Sequence, residues 1–202
     1  MIPALWICKT GLDSQQTNIS VTSNNLANAS TVGYKKSRAI FEDLLYQKVN
    51  QPGGRSTADS FLPEGLMIGA GSRVVATQKN FAQGDVETTD NTLDLLINGD
   101  GFFEIEMPDG TTAYTRNGQF TRNEEGTLVT AEGYTLLPQI TIPEDATGIS
   151  ISTDGQVSVQ TAGQTQAQDI GQITVTNFIN PAGLEPIGNN LYLEPLVTQS
   201  RV

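Results

Sequence analysis

Apolar residues recur at intervals of seven at the start of the chain: Leu5, Leu12, Ile19 and Leu26. Such a repeat keeps one edge of a helix facing a partner helix and favours a left-handed supercoil. The alternate seam positions Cys8, Gln15, Thr22 and Ala29 are small or polar, so the segment carries about half a coiled-coil seam. Pro3 suits a first helical turn, where its missing N–H costs nothing. The pattern predicts a helix from there to about Leu26, a rod of roughly 35–40 Å. Its intrinsic propensity is poor. Gly11 costs about 1 kcal/mol relative to Ala, and Thr17, Asn18, Ser20, Thr22, Ser23, Asn24 and Asn25 are indifferent formers. Burying the four aliphatic side chains returns roughly 6–12 kcal/mol, but only against a partner. Alone, the segment is expected to be largely disordered; packed, helical. Ala29 to Gly33 ends it, with Gly33 free to take a positive φ.

Phe41, Leu44, Leu45 and Val49 stand at near-helical spacing and predict a short helix or turn. Residues 51–60 have no periodicity and read as an extended linker, marked by Pro52 and Gly53 and continued by Pro63 and Gly65. A domain boundary is expected near residue 70. Beyond it, strand and turn signals alternate. Arg73 to Phe81 alternates, Leu93 to Ile97 is a short apolar run, and Pro108-Asp109-Gly110 is the clearest hairpin turn. Asn117-Gly118, Glu132-Gly133 and Asp154-Gly155 are further turns, and Gln172 to Phe178 and Leu191 to Leu193 complete the strands. The expected fold is mainly β with an N-terminal α-helix: a long helix, an irregular linker, and an antiparallel sandwich or barrel-like domain. The expected divisions are 1–45 for the helix and its end, 46–70 for the linker, 71–195 for the β-domain and 196–202 for an atypical end.

Composition narrows the chemistry. The 202 residues carry 22 acidic and 11 basic side chains, a net charge of -11. A nucleic-acid backbone is therefore not an expected partner, since phosphate binding rests on clustered Lys and Arg. There is no histidine, which removes the commonest general base and metal ligand. The lone Cys8 cannot close a disulfide within the chain. No stretch approaches the roughly 20 apolar residues of a membrane span, so membrane insertion is not expected. The apolar run Ile2 to Cys8 lacks the preceding positive charge of a cleavable signal. Asn98-Gly99-Asp100-Gly101 lacks the lysine and strand–helix setting of a phosphate loop. The acidic turns Asp109-Gly110, Glu124-Glu125 and Asp154-Gly155 lack calcium-loop spacing. Glu104 and Glu106 share a strand face, with no aromatic cleft around them for glycoside chemistry. No catalytic residue, cofactor or metal site is expected.

One stretch is specific. Ser23-Asn24-Asn25-Leu26-Ala27-Asn28-Ala29-Ser30-Thr31-Val32-Gly33-Tyr34-Lys35 resembles the signature of the bacterial flagellar basal-body rod and hook family. There an Asn-Asn-Leu-Ala-Asn core precedes Thr-x-Gly-aromatic-Lys. Leu5-Trp6-Ile7, Phe41 to Gln47, Gln51-Pro52-Gly53, Gly99-Asp100-Gly101-Phe102-Phe103 and Tyr114-Thr115-Arg116-Asn117-Gly118 are similar to its distal-rod members. The likeness runs from residue 1 to about Pro195.

The resemblance implies a structural subunit of the flagellar distal rod. It implies self-assembly into a helical tube that transmits torque through the periplasm to the hook. Implied partners are further copies of the chain, the proximal-rod and hook proteins, the surrounding P and L rings, the rod cap and the flagellar (type III) export apparatus. Export would proceed without a cleaved signal. Implied assembly residues are Leu5, Leu12, Ile19 and Leu26, with the signature Asn24, Asn25, Leu26, Ala27, Asn28, Thr31, Gly33, Tyr34 and Lys35. In that family the inner helix pairs with a C-terminal helix, and the chain is expected to lack that element. A proximal-rod or hook subunit is the alternative within the family, and a secreted β-rich binding or adhesin module the alternative outside it.

Overall fold

The computed structural model describes residues 3–50, 64–164 and 166–195. The contacts divide the chain into two compact units: Met1–Ala29 with Lys36–Asn80, and Ser30–Lys35 with Phe81–Val202. The expected class is borne out, with one N-terminal helix followed by antiparallel strands.

The first unit is built on helix α1 (Pro3–Ala27). Strand β1 (Ser37–Asp43) follows, then β2 (Tyr46–Asn50), β3 (Leu66–Gly69) and β4 (Ser72–Lys79). β1 pairs with β4, and β2 with β3, each antiparallel. The short helix or turn expected across Phe41 to Val49 is therefore a correction: Phe41 lies in β1 and Val49 in β2, and Leu44 and Leu45 join these strands. Their apolar spacing also fits a pleated ribbon, and the ladder to β4 decides between the two. Cross-strand pairs favour the observed register, with Arg38 Nη2 donating to Gln78 at 2.7 Å and Arg73 Nη2 to Glu42 at 3.1 Å. Because β4 pairs with β1, the boundary expected near 70 falls inside this unit.

The helix packs on the β1–β4 ribbon through a face that the aliphatic heptad does not include. Ser14 is its buried residue, and Ile7, Thr10, Gly11, Thr17, Val21, Asn25 and Asn28 are half-buried. These small and polar residues allow close approach. Ser14 and Ser72 hydroxyls lie 3.0 Å apart, and a Cβ at Gly71, where φ is +111°, would collide with Thr10.

The second unit holds a seven-stranded antiparallel sheet in the order β13-β14-β6-β5-β9-β8-β7 and a three-stranded sheet β10-β11-β12. The strands are β5 (Phe103–Glu106), β6 (Thr112–Thr115), β7 (Phe120–Arg122), β8 (Leu128–Thr130) and β9 (Thr135–Leu137). They continue with β10 (Ala146–Ile151), β11 (Gln156–Thr161), β12 (Gln168–Gln172), β13 (Glu185–Gly188) and β14 (Leu191–Leu193). The expected Asp109-Gly110 hairpin joins β5 to β6. Asp109 accepts from the hydroxyl of Thr111 at 2.6 Å and its N–H at 3.0 Å, which hold its carboxyl below the usual range. The run Leu93 to Ile97 is not a strand but irregular chain with one bridge, Asp94 to Gln119. Leu93, Leu95 and Ile97 pack against the core instead, while Leu96 is exposed. Likewise the strand expected over Gln172 to Phe178 ends at Gln172, with one further bridge from Thr176 to Phe102.

One core gathers Phe103, Ile105, Phe120, Leu128, Leu136, Ile142, Val157 and Val159 from both sheets. A second gathers Phe102, Tyr114, Phe178, Leu184 and Tyr192, with Phe81 packed against it. Its rings meet edge to face, with Tyr114 and Phe178 centroids 4.7 Å apart. Ile105 is fully buried at the centre of the larger core. Replacing Ile105 by Ala should cost about 2–5 kcal/mol of β-domain stability, read as a lower urea midpoint with unchanged slope.

Candidate assembly site

The candidate residues fall in two places that are described separately: the helix edge in the first unit and most of the signature loop in the second. On α1, Leu5, Leu12, Ile19 and Leu26 are 67%, 72%, 65% and 76% exposed. The helix thus carries two seams of period seven, offset by two residues and so on nearly opposite faces. Ile7, Ser14, Val21 and Asn28 face the ribbon within the unit, and the aliphatic seam faces water. Leaving four long aliphatic side chains in water forgoes roughly 6–12 kcal/mol of burial. An aligned row of exposed aliphatic side chains of this kind is half a helix-packing seam. Near the start of α1 a cavity of about 250 Å³ is lined by Pro3, Trp6, Ile7, Gln47, Ile68, Gly69 and Ala70. Of the expected linker residues, Gly65 is half-buried just before β3, while Pro52, Gly53 and Pro63 lie outside the described residues.

The signature residues have separate tasks. Asn25 closes the base of the loop. Its Nδ2 donates to the Ser37 carbonyl at 2.7 Å and its Oδ1 accepts from the Ser37 N–H at 2.9 Å, mimicking a strand partner. Ala27 is the last helical residue, and the chain turns at Asn28. Asn28 satisfies the open end of the helix by donating its N–H at 3.2 Å and its Nδ2 at 2.9 Å to the Asn24 carbonyl. The Tyr34 N–H then reaches back to the Thr31 carbonyl at 3.2 Å.

The rest of the signature lies in the second unit, on β-domain elements remote in sequence. Gly33 has φ +76°, and a Cβ there would lie 2.7 Å from the backbone N of Asn117, so no other residue fits without movement. Asn190 Nδ2 donates to the Val32 carbonyl at 2.8 Å. Lys35, only 9% exposed, donates through Nζ to the Ala82 carbonyl at 2.9 Å. Burial, then the nearby Arg116 charge, lowers the Lys35 pKa. Burial also lowers that of Arg116, against the opposing pull of Asp100. Arg116 lies 5.3 Å over the Phe102 ring, and its Nε is buried without a hydrogen-bond partner among the described residues. The signature lysine is therefore a buried pin rather than part of a solvated basic face.

Sequence reasoning placed the loop but missed its seat, Asn190, Thr115, Asn117 and Ala82. One available signal was Asn189-Asn190, whose φ values of 53° and 58° are those of a primed hairpin turn.

Residues 96–159 match the family model described as flagellar hook protein FlgE/F/G D1 domain, and residues 9–35 match that of the flagella basal body rod protein. The chain is 53% identical over 194 residues to the flagellar basal-body rod protein FlgG of Buchnera aphidicola subsp. Schizaphis graminum, covering 96% of the chain and 75% of the relative. It is 44% identical to FlgG of Borreliella burgdorferi, covering 96% and 74%. Similarity to the flagellar hook protein FlgE of Helicobacter pylori is narrower, 39% identity over 66% of the chain and 19% of the relative.

Burial of Tyr192 beneath the signature loop pushes its pKa up to about 12, with the neighbouring Tyr34 adding to the shift. The neutral phenol is favoured in the folded state. Stability is therefore full below pH 10 and falls as pH rises from 10 to about 12. A loss of about 2 kcal/mol is expected across that window. Urea titrations should show this slope in the wild type and a flatter one in Tyr192→Phe.

Proposed function

The chain belongs to the family of flagellar basal-body rod proteins of the FlgG type, and from that premise we propose how it works. It is a structural subunit of the flagellar distal rod and assembles with other flagellar components. Its mode of action is assembly without catalysis: a helical homopolymer that carries torque across the periplasm to the hook. The partners in this reading are further copies of the chain, the proximal-rod and hook proteins, the P and L rings, the rod cap and the export apparatus. No helix among the described residues is long and apolar enough to cross a membrane.

The carrying observation is that α1 buries one heptad face in its own unit while Leu5, Leu12, Ile19 and Leu26 stay in water. These four residues are the assembly contacts of this reading. They pass from water into helix–helix packing when the subunit joins the tube, and their burial drives incorporation. Poor intrinsic helix propensity suits export in an unfolded form, and the contact with the β1–β4 ribbon then holds the helix with its aliphatic edge outward for assembly. Heterologous contacts that do not close generate an open helix, the geometry a tube needs. The linker residues Pro52, Gly53, Pro63 and Gly65 belong in this account to contacts between neighbouring subunits.

Leu12→Asp tests this directly. The charge falls on the exposed edge, away from the β1–β4 contact, so the purified chain should keep its β-domain melting temperature within about 1–2 °C, as expected for a surface change near 0.5 kcal/mol. Incorporation into rods should be lost. Rods and swimming restored by the mutant would sink the reading.

A further inference from the structure

We propose that Ser30–Lys35 is a strap that seats only on a completed β-domain, with Asn190, Thr115 and Asn117 as its positioning residues. The three form one connected network. Asn190 Nδ2 donates to the Val32 carbonyl at 2.8 Å, and the Thr115 hydroxyl donates to the Asn190 carbonyl at 2.9 Å. The same hydroxyl accepts from the Asn117 N–H at 3.1 Å, and the Asn117 backbone is what leaves Gly33 no room for a side chain. Thr115 is 1% exposed and paired with Leu191 in the β6–β14 ladder. Without β14 against β6, the donor to Val32 and the acceptor for Thr115 are both lost.

The order of events follows from chain distance. The bonds that shape the loop itself, Tyr34 to Thr31 and Asn25 to Ser37, are local. The bond that seats it spans 158 residues. Long-range closure costs more chain entropy and is made late, after local turns exist. The loop thus takes its shape early and stays undocked until β13 and β14 are in place. The Lys35 bond to the Ala82 carbonyl spans 47 residues and tethers the far end of the strap before the Asn190 contact closes. Taken with the assembly reading above, on which this clause rests, the segment leaving the assembly helix is fixed only in a subunit whose β-domain is finished.

Hydrogen exchange on the 202-residue chain tests the strap. In Asn190→Gly the left-handed turn is kept and only the amide is lost. Peptides spanning residues 30–36 should exchange about fivefold faster, the factor for one net hydrogen bond, with β5 and β14 unchanged. Thr115→Val should give the same pattern. Pulse labelling of the refolding wild type needs no variant. Residues 30–36 should gain protection at the same rate as 191–193. Protection of the strap before β14, or unchanged exchange at 30–36 in a folded Asn190→Gly, would overturn the proposal. Leu12→Asp should alter neither readout, so failure here is separable from failure of the assembly reading.

Discussion

Four aliphatic side chains on one helical edge stand in water because the opposite face of the same helix is already committed. That commitment is steric. Gly71, Ser14 and Ser72 bring α1 close to the β1–β4 ribbon at the middle of a contact that Ile7 and Val21 flank. The longer side chains of the other seam have no place there. A helix of weak intrinsic propensity is thus held by one seam and left wanting at the other. In the proposed reading neighbouring subunits fill the second seam, so the same close contact that orders the helix also leaves its aliphatic edge available for assembly.

The signature after the helix divides between the two units. Asn25 and Asn28 finish the helix and close the loop base, whereas Gly33 and Lys35 act on the β-domain. Its density in sequence reflects several unrelated constraints in a short span: a carbonyl left open at a helix end, a strand edge needing a partner, a positive φ against a backbone, and a lysine with one buried acceptor. Such constraints tolerate few substitutions, which makes the motif a specific family mark. It also gives the signature work inside the subunit, whereas the proposed contacts between subunits fall on the helix edge.

Much of the fold was legible because its signals are local. The helix showed in the seven-residue spacing, and the hairpins in Asp109-Gly110, Glu132-Gly133 and Asp154-Gly155. What was not legible depended on pairing over distance. Phe41 to Val49 fitted a helix or turn as well as strands until β4 and β3 supplied the ladders. Leu93 to Ile97 looked like a strand, yet Leu93, Leu95 and Ile97 serve the core from irregular chain. The inner helix seam, Ile7, Ser14, Val21 and Asn28, shares the same period as the outer one. The eye follows Leu5, Leu12, Ile19 and Leu26 because they are larger, although burial inside the unit went to the smaller set. Asn190 could not be linked to Val32 by any local pattern.

The central claim is that the edge at position 12 is exposed in the free subunit and buried in the rod. Maleimide labelling of Leu12→Cys in a Cys8→Ser background measures it, in the purified chain and in basal bodies isolated with the chain incorporated. The account predicts rapid labelling of the free chain and protection by at least about tenfold in the rod, the factor for about 1.4 kcal/mol of closure. Equal labelling in both would contradict it.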